Sequence, residues 1–437
     1  MDGQTNGGVG SSAAGWCAVA LLCAALLLSL TDRLIINLVV DPIRADLRLT
    51  DLDISLLQGA GFAVIFALAG LPAGRLADRV NRRNLIAGGL ALWSAATIAC
   101  GLAGDFWSFL AARIAVGLGE AALVPAAASL IVDSFSPRRR GLALGVFSLG
   151  ATFGAGSALF LGGVLLGWIE AGWFAWAPGI ALLASWRQLL VLAGLPGFLL
   201  LPLLFLIREP MRRHSAGLIA ISGVLSRLAA DNGMVLRVCL VKGALGVGDY
   251  ALIAWLPTLL QRSHGMTALE AGGLVGLSLT ASGVVASVAG GALSDRLAQR
   301  WGAPSRIALL LACYLLALAG AVSTLFAQTG GQIALSFAIW ALGSISGYVI
   351  GHVVMQESVP NEMRATTVAL SLAVTALVGI GLGPTLVPLV AQHVFGGETA
   401  LQPAMSAISV GAALLALLVI WPSAFDRLRT LQGRLRT

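Results

Sequence analysis

The sequence predicts an all-α membrane protein: twelve transmembrane helices in two pseudo-symmetric six-helix bundles. Composition, a series of apolar runs and an internal repetition carry that prediction. Of 437 residues, 58% are hydrophobic and 11% charged, with a mean hydropathy of +0.91, whereas soluble domains carry about 25% charged residues. A soluble core does not explain such a balance, and stretches of roughly 20 apolar residues, each able to cross about 30 Å of hydrocarbon, are the natural unit.

A window of about 19 residues places spans near 14–39, 54–77, 84–104, 106–131, 141–167 and 187–207, then 234–260, 268–293, 305–327, 331–356, 365–391 and 403–422. The domain plan is a polar tail (1–13), an N-terminal bundle (14–208), a linker (209–233), a C-terminal bundle (234–424) and a basic tail (425–437). Both tails and the linker are expected to be cytoplasmic. The first apolar run is too long for a signal peptide and reads as a retained span.

The formal charge of +7 sits in short loops, not on a soluble face, which argues against nucleic acid and follows the positive-inside pattern. Arg75, Arg79, Arg82, Arg83, Arg138–Arg140, Arg296, Arg300, Arg306, Arg364 and the tail arginines fall on one side. Arg44, Arg48, Arg187 and Arg262 fall opposite. Both termini are therefore expected in the cytoplasm and the protein in a bacterial inner membrane. Trp168, Trp173, Phe174, Trp176 and Trp186 suggest an aromatic belt at the outer interface. The cysteines Cys17, Cys23, Cys100, Cys239 and Cys313 lie singly in apolar runs and read as packing residues; neither metal nor cofactor is expected.

A fold made of two copies repeats its punctuation at a constant offset. Gly74-Arg-Leu-Ala-Asp78-Arg79 returns as Gly291-Ala-Leu-Ser-Asp295-Arg296, and from Asp78 to Asp295 the offset is 217. Asp133 and Arg140 return as Glu357 and Arg364, an offset of 224.

With these residues in place the chain resembles the major facilitator superfamily. Its loop between spans two and three reads Gly74, Asp78, Arg79, Asn81, Arg82, Arg83. Asn81 stands where the family usually has Gly, a tolerable exchange because Asn also accepts a left-handed backbone. The resemblance implies two halves rocking around a central cavity. It also implies a cytoplasmic gate of Gly74, Asp78, Arg79, Arg83, Asp295, Arg296, Asp133, Arg140, Glu357 and Arg364, with an Asp capping a helix and arginines pairing across the halves. For Arg82 and Arg83 the alternative to the latch is topological anchoring.

Within the superfamily, Asp32-Arg33, Leu56-Leu57-Gln58, Asp78 to Arg82, Arg113 to Gly117, Gly119-Glu120-Ala121 and Ser185-Trp186-Arg187 are similar to the Spinster-type lipid transporters. That likeness implies export or flipping of lysophospholipid or sphingoid-phosphate amphiphiles, driven at least partly by protons, with the proton gradient as energy source; a monomer is expected.

Ionisable residues inside spans mark polar pathways, and here they are Asp32, Arg33, Arg113, Glu120, Lys242 and Asp249. Arg113 and Glu120, seven apart, lie about 10.5 Å apart along one helix face. Depth along the spans predicts a pairing of Asp32 with Arg113, leaving Glu120 deeper, without a cation of its own, as the proton-coupling group and Asp32 as its alternate. Arg33 is left facing substrate or another span. Asp249, 217 residues after Asp32, reads as its counterpart facing the same cavity. Lys242 shares its helix face, and a structural pairing of the two weighs equally with substrate binding. Arg33, Arg113, Asp32, Lys242 and Asp249 are thus the substrate-binding candidates, while His352 reads as a packed or hydrogen-bonded histidine. Gly150, Gly154 and Gly156 read as close helix packing.

The competing transport reading is a proton-driven carrier of small organic anions or drugs, with Arg33 and Arg113 as anion clamps. A membrane enzyme is disfavoured: the chain carries no H-E-x-x-H, no P-loop and no paired nucleophile and base. No soluble effector domain supports a sensor.

Overall fold

The computed structural model describes residues 13–210, 233–397 and 399–434; the linker core and the first tail lie outside them. Among the described residues, twelve helices are long and apolar enough to cross a membrane. They are α1 (Ala13–Leu38), α2 (Asp51–Gly70), α3 (Arg82–Leu102), α4 (Phe106–Ser134), α5 (Arg138–Glu170), α6 (Ser185–Leu204), α7 (Gly233–His264), α8 (Ala268–Trp301), α9 (Pro304–Phe326), α10 (Gly330–Glu357), α11 (Thr367–His393) and α12 (Leu401–Pro422). Helix continues from α2 to Ala77 and from α12 to Arg434, so most of the expected basic tail is helical.

Side chains at the helix starts close the orphan N–H groups that lipid would leave unsatisfied. Asp105 with Ser108, Thr267 with Glu270 and Thr329 with Gln332 form reciprocal capping boxes. Asn81 caps α3 by accepting from the Asn84 amide, with φ −63° and ψ 117°. It is extended, not left-handed, and the cap belongs to Asn81 and not to Asp78. Trp168 and Trp173 stack at 5.5 Å, but Trp186 leaves the expected belt: it is buried, stacks on Phe109 and donates to Asp46.

By contact the described residues form two bodies. Those up to Arg48 and from Val64 to Pro210 make one, and Leu49–Ala63 join those from Gly233 onward in the other. The segment 49–63 therefore departs from the division drawn on the sequence, for identifiable reasons. Gln58 donates to the Ala254 carbonyl at 3.3 Å, Arg262 holds Asp51 through two hydrogen bonds of 2.7 and 2.8 Å, and Gly59 lies against the carbonyl of Ile380. This segment contains a π-helical turn, Leu56–Ala60, and further π-turns fall in α8 (Ala286–Gly290) and α11 (Thr375–Ile380).

Two helix crossings repeat between the bodies. A Cβ on Gly119 would lie 2.8 Å from the Gly89 carbonyl oxygen and 2.9 Å from the Trp93 nitrogen. On Gly343 it would lie 2.5 Å from the Cys313 carbonyl oxygen and 2.6 Å from the Ala317 nitrogen. All three residues keep the offset of 224, so α3–α4 and α9–α10 touch backbone to backbone at equivalent points. Gly343→Ala is expected to cost about 1–3 kcal/mol through overpacking, read as a lowered thermal-unfolding midpoint in detergent. Gly88→Ala, where nothing lies within 4 Å, should be neutral or stabilise by about 0.5–1 kcal/mol.

Candidate substrate and coupling site

The first polar cluster lies in α1, α3 and α4. Asp32, Arg113 and Glu120 are 3%, 2% and 1% exposed. Arg33 Nη2 meets Glu120 Oε2 at 2.5 Å and its guanidinium lies 5.2 Å from the Phe66 ring centre. The expected isolation of Glu120 is thus corrected, because Arg33 is its cation. Side-chain direction explains the pairing. Side chains lean toward their own helix N-terminus, and α1 and α4 run in opposite directions, so Arg33 and Glu120 lean toward one another and close the axial gap.

The same lean carries Arg113 toward the end of α1. There α-helix gives way to a 3-10 turn at Ile35–Leu38, and the last carbonyls of an α-helix lack their i+4 partners. Arg113 donates to the carbonyls of Asp32 (3.4 Å) and Arg33 (3.5 Å). Arg113 therefore does reach Asp32, but through the backbone. The Asp32 carboxylate has the Thr97 hydroxyl within reach, Arg113 and Glu120 near, and no hydrogen-bond partner on Oδ1.

The second cluster lies in α7 and α10. Asp249 accepts from Trp340 Nε1 at 2.7 Å and from Ser344 Oγ at 2.9 Å. Lys242 does not share that site; its ammonium lies 3.2 Å from His352 Nδ1. Ser344 stands 224 residues after Glu120, so α10 supplies a hydroxyl where α4 supplies a carboxylate. His352 was legible only as a generic hydrogen-bonded histidine, since its partner is 110 residues away.

At the arginine-rich end, each body closes its own charge network. Arg82, 1% exposed, donates to Asp133 at 2.5 Å, Glu209 at 2.7 Å, the Ser129 hydroxyl and the Pro210 carbonyl. Arg306 joins Asp295 at 3.0 Å and also pairs with Glu357. Arg82 to Arg306 and Asp133 to Glu357 both span 224 residues, so the duplicated hub is an arginine; the sequence placed Arg82 in the latch loop and Arg306 only among the charges of the arginine-rich side.

Of the expected gate residues, Asp133, Glu357 and Asp295 enter these hubs. Arg83 packs over Phe205 and receives Glu209 on its backbone N–H. Arg140 donates to the Phe135 carbonyl. Gly74 has open space where a Cβ would stand, and Asp78, Arg79 and Arg296 are exposed with no side-chain partner among the described residues. The Arg364 side chain lies outside the described set.

Twelve spans, a duplicated six-helix plan and buried ionisable clusters in both repeats define a polytopic transporter. Residues 21–384 match the Major Facilitator Superfamily model, and the chain belongs to that family. It is 28% identical over 409 residues to an "MFS-type efflux pump" of Mycolicibacterium smegmatis, covering 92% of this chain and 89% of that protein. It is also 28% identical to protein spinster homolog 3 of Danio rerio, covering 85% and 75% of the two chains. The crystal structure of a bacterial homolog of the human lysosomal transporter Spinster, inward-facing and occupied, superposes with a TM-score of 0.78 at 26% identity over 96% of this chain and 98% of that one. Within the superfamily the chain is similar to the Spinster-type transporters.

Arg82→Gln is expected to destabilise by about 2–3 kcal/mol. That lies below the 3–5 kcal/mol of a fully buried pair because Asp133 and Glu209 retain some solvent. Asp78→Asn should leave the thermal midpoint of the purified protein unchanged, and an equal loss in both variants would remove Arg82 as the hub.

Proposed function

We propose that this chain is a secondary active, proton-coupled transporter of anionic amphiphiles of the lysophospholipid or sphingoid-phosphate type. It works by alternating access, as a monomer in a bacterial inner membrane with both termini cytoplasmic. The observation that carries the coupling is Asp32: a carboxylate buried beside Arg113 and the Arg33–Glu120 pair, with one oxygen that nothing hydrogen-bonds. A buried charge without full hydrogen bonding is costly, and a proton taken up by Asp32 removes that charge. Two guanidinium groups then face one carboxylate, and an anionic head group binds more strongly. By linkage, head-group binding raises proton affinity by the same factor. Glu120, already neutralised by Arg33, positions that arginine and yields the leading coupling role to Asp32.

The amphiphile assignment draws on the Spinster-type resemblance. The match to an efflux pump along nearly the whole of both chains supports the second reading, a proton-driven carrier of small organic anions or drugs. A proteoliposome panel of lysophospholipids, sphingoid phosphates and small organic acids, with and without a pH gradient, separates the two.

In the same assay Asp32→Asn should bind substrate as well as wild type or better, and lose at least about tenfold of its gradient response, roughly 1.4 kcal/mol of coupling. Arg113→Ala should lose binding at every pH. An Asp32→Asn protein with full gradient response, beside a Glu120→Gln protein without it, would return the proton to Glu120.

A further inference from the structure

Lys242 is 5% exposed, and among the described residues no carboxylate forms an ion pair with its ammonium. Buried ammonium groups are rare unless paired. Its contacts are His352 Nδ1 at 3.2 Å and the Tyr348 ring, whose centre is 5.3 Å away. Asp249 does not serve as counter-ion: it lies two helical turns further along α7, about 10.5 Å by rise, with one oxygen on Trp340 and the other on Ser344.

The donor count is informative. A lysine ammonium has three N–H donors and no acceptor, and an imidazole that accepts at Nδ1 carries its proton at Nε2. Holding one ammonium hydrogen on His352 leaves the remaining ammonium hydrogens and the imidazole Nε2–H as donors. Tyr348 meets the ammonium with its ring, and its hydroxyl hydrogen is donated to the Lys242 carbonyl at 2.7 Å. The pair is thus rich in donors, positively charged and lacking a protein anion.

A second feature falls at the same place. A Cβ on Gly246, one turn along α7, would meet the Tyr348 hydroxyl at 3.0 Å, Gly379 at 3.2 Å and Thr375 at 3.4 Å. Gly379 and Thr375 belong to the π-turn of α11, and such turns recur at functional sites.

We propose that Lys242 and His352, braced by Tyr348, form an anion subsite that takes the acidic oxygens of the transported amphiphile's head group. This rests on the amphiphile reading. Donor-only chemistry selects a phosphate or carboxylate end over a neutral polyol of equal chain length.

The test is equilibrium binding to the purified full-length protein, followed by its tryptophan fluorescence without any gradient. Lysophosphatidate, a monoacylglycerol of the same chain and inorganic phosphate are the probes. Wild type should prefer lysophosphatidate over monoacylglycerol by at least about tenfold, with phosphate alone failing to saturate at millimolar concentration. K242Q should cut that preference by at least about threefold by weakening lysophosphatidate alone, with Arg113 keeping the remainder; H352N should give a smaller loss, and K242R should restore most of the preference.

A K242Q protein that keeps the preference, or that weakens both lipids equally, overturns the subsite. Saturation by inorganic phosphate at lysophosphatidate concentrations overturns the lipid head as its ligand. Wild type that binds neither lipid overturns the amphiphile reading as well, whereas an intact preference with no proton coupling in vesicles touches only the Asp32 assignment.

Discussion

A charge inside hydrocarbon must be met by something, and the interior of this protein follows from how each one is met. Arg33 is met by Glu120, Arg113 by the carbonyl ends of α1, and Asp249 by an indole and a hydroxyl. Each solution uses a different chemistry, and each fixes a helix against a neighbour. The groups whose charges are least completely met, Asp32 and Lys242, are those to which we assign exchangeable partners, a proton and an anion. Function is in this sense the remainder of the electrostatic accounting within the spans.

The duplication is more exact in its contacts than in its letters. Gly89, Trp93, Gly119, Arg82 and Asp133 correspond to Cys313, Ala317, Gly343, Arg306 and Glu357 at one offset, 224, although only Gly119 and Arg82 keep their identity. The offset of 217 before the third span of each half becomes 224 from that span onward because Asp78 and Arg82 are four residues apart while Asp295 and Arg306 are eleven. Seven residues are two turns of helix, and they extend α8 to Trp301. In the longer version the aspartate reaches the hub arginine; in the shorter one Asp78 does not enter the Arg82 network.

The spans were legible because hydrocarbon thickness imposes a length that hydropathy reports directly. The candidate cluster was legible in membership and not in pairing: Asp32, Arg33, Arg113 and Glu120 announce themselves as charges in apolar runs, but which carboxylate meets which guanidinium depends on lean and reach. Depth along the spans pairs Asp32 with Arg113, whereas the lean of Arg33 toward its own helix start directs it to Glu120. Arg82 and Arg83 are adjacent identical letters, and only packing makes one a buried hub and the other a surface group. Lys242 and His352 meet across 110 residues, a distance that no local pattern spans.

Gly119 and Gly343 are each followed by a member of a buried polar cluster, Glu120 and Ser344. Because the crossing glycines rest on main chain, the polar atoms beside them are located from a reference surface that no rotamer change can displace. Such a datum lets the walls of a binding site be recut for new cargo while its working charges stay in register. A lineage of pumps can then change what it carries without having to rediscover how it is driven.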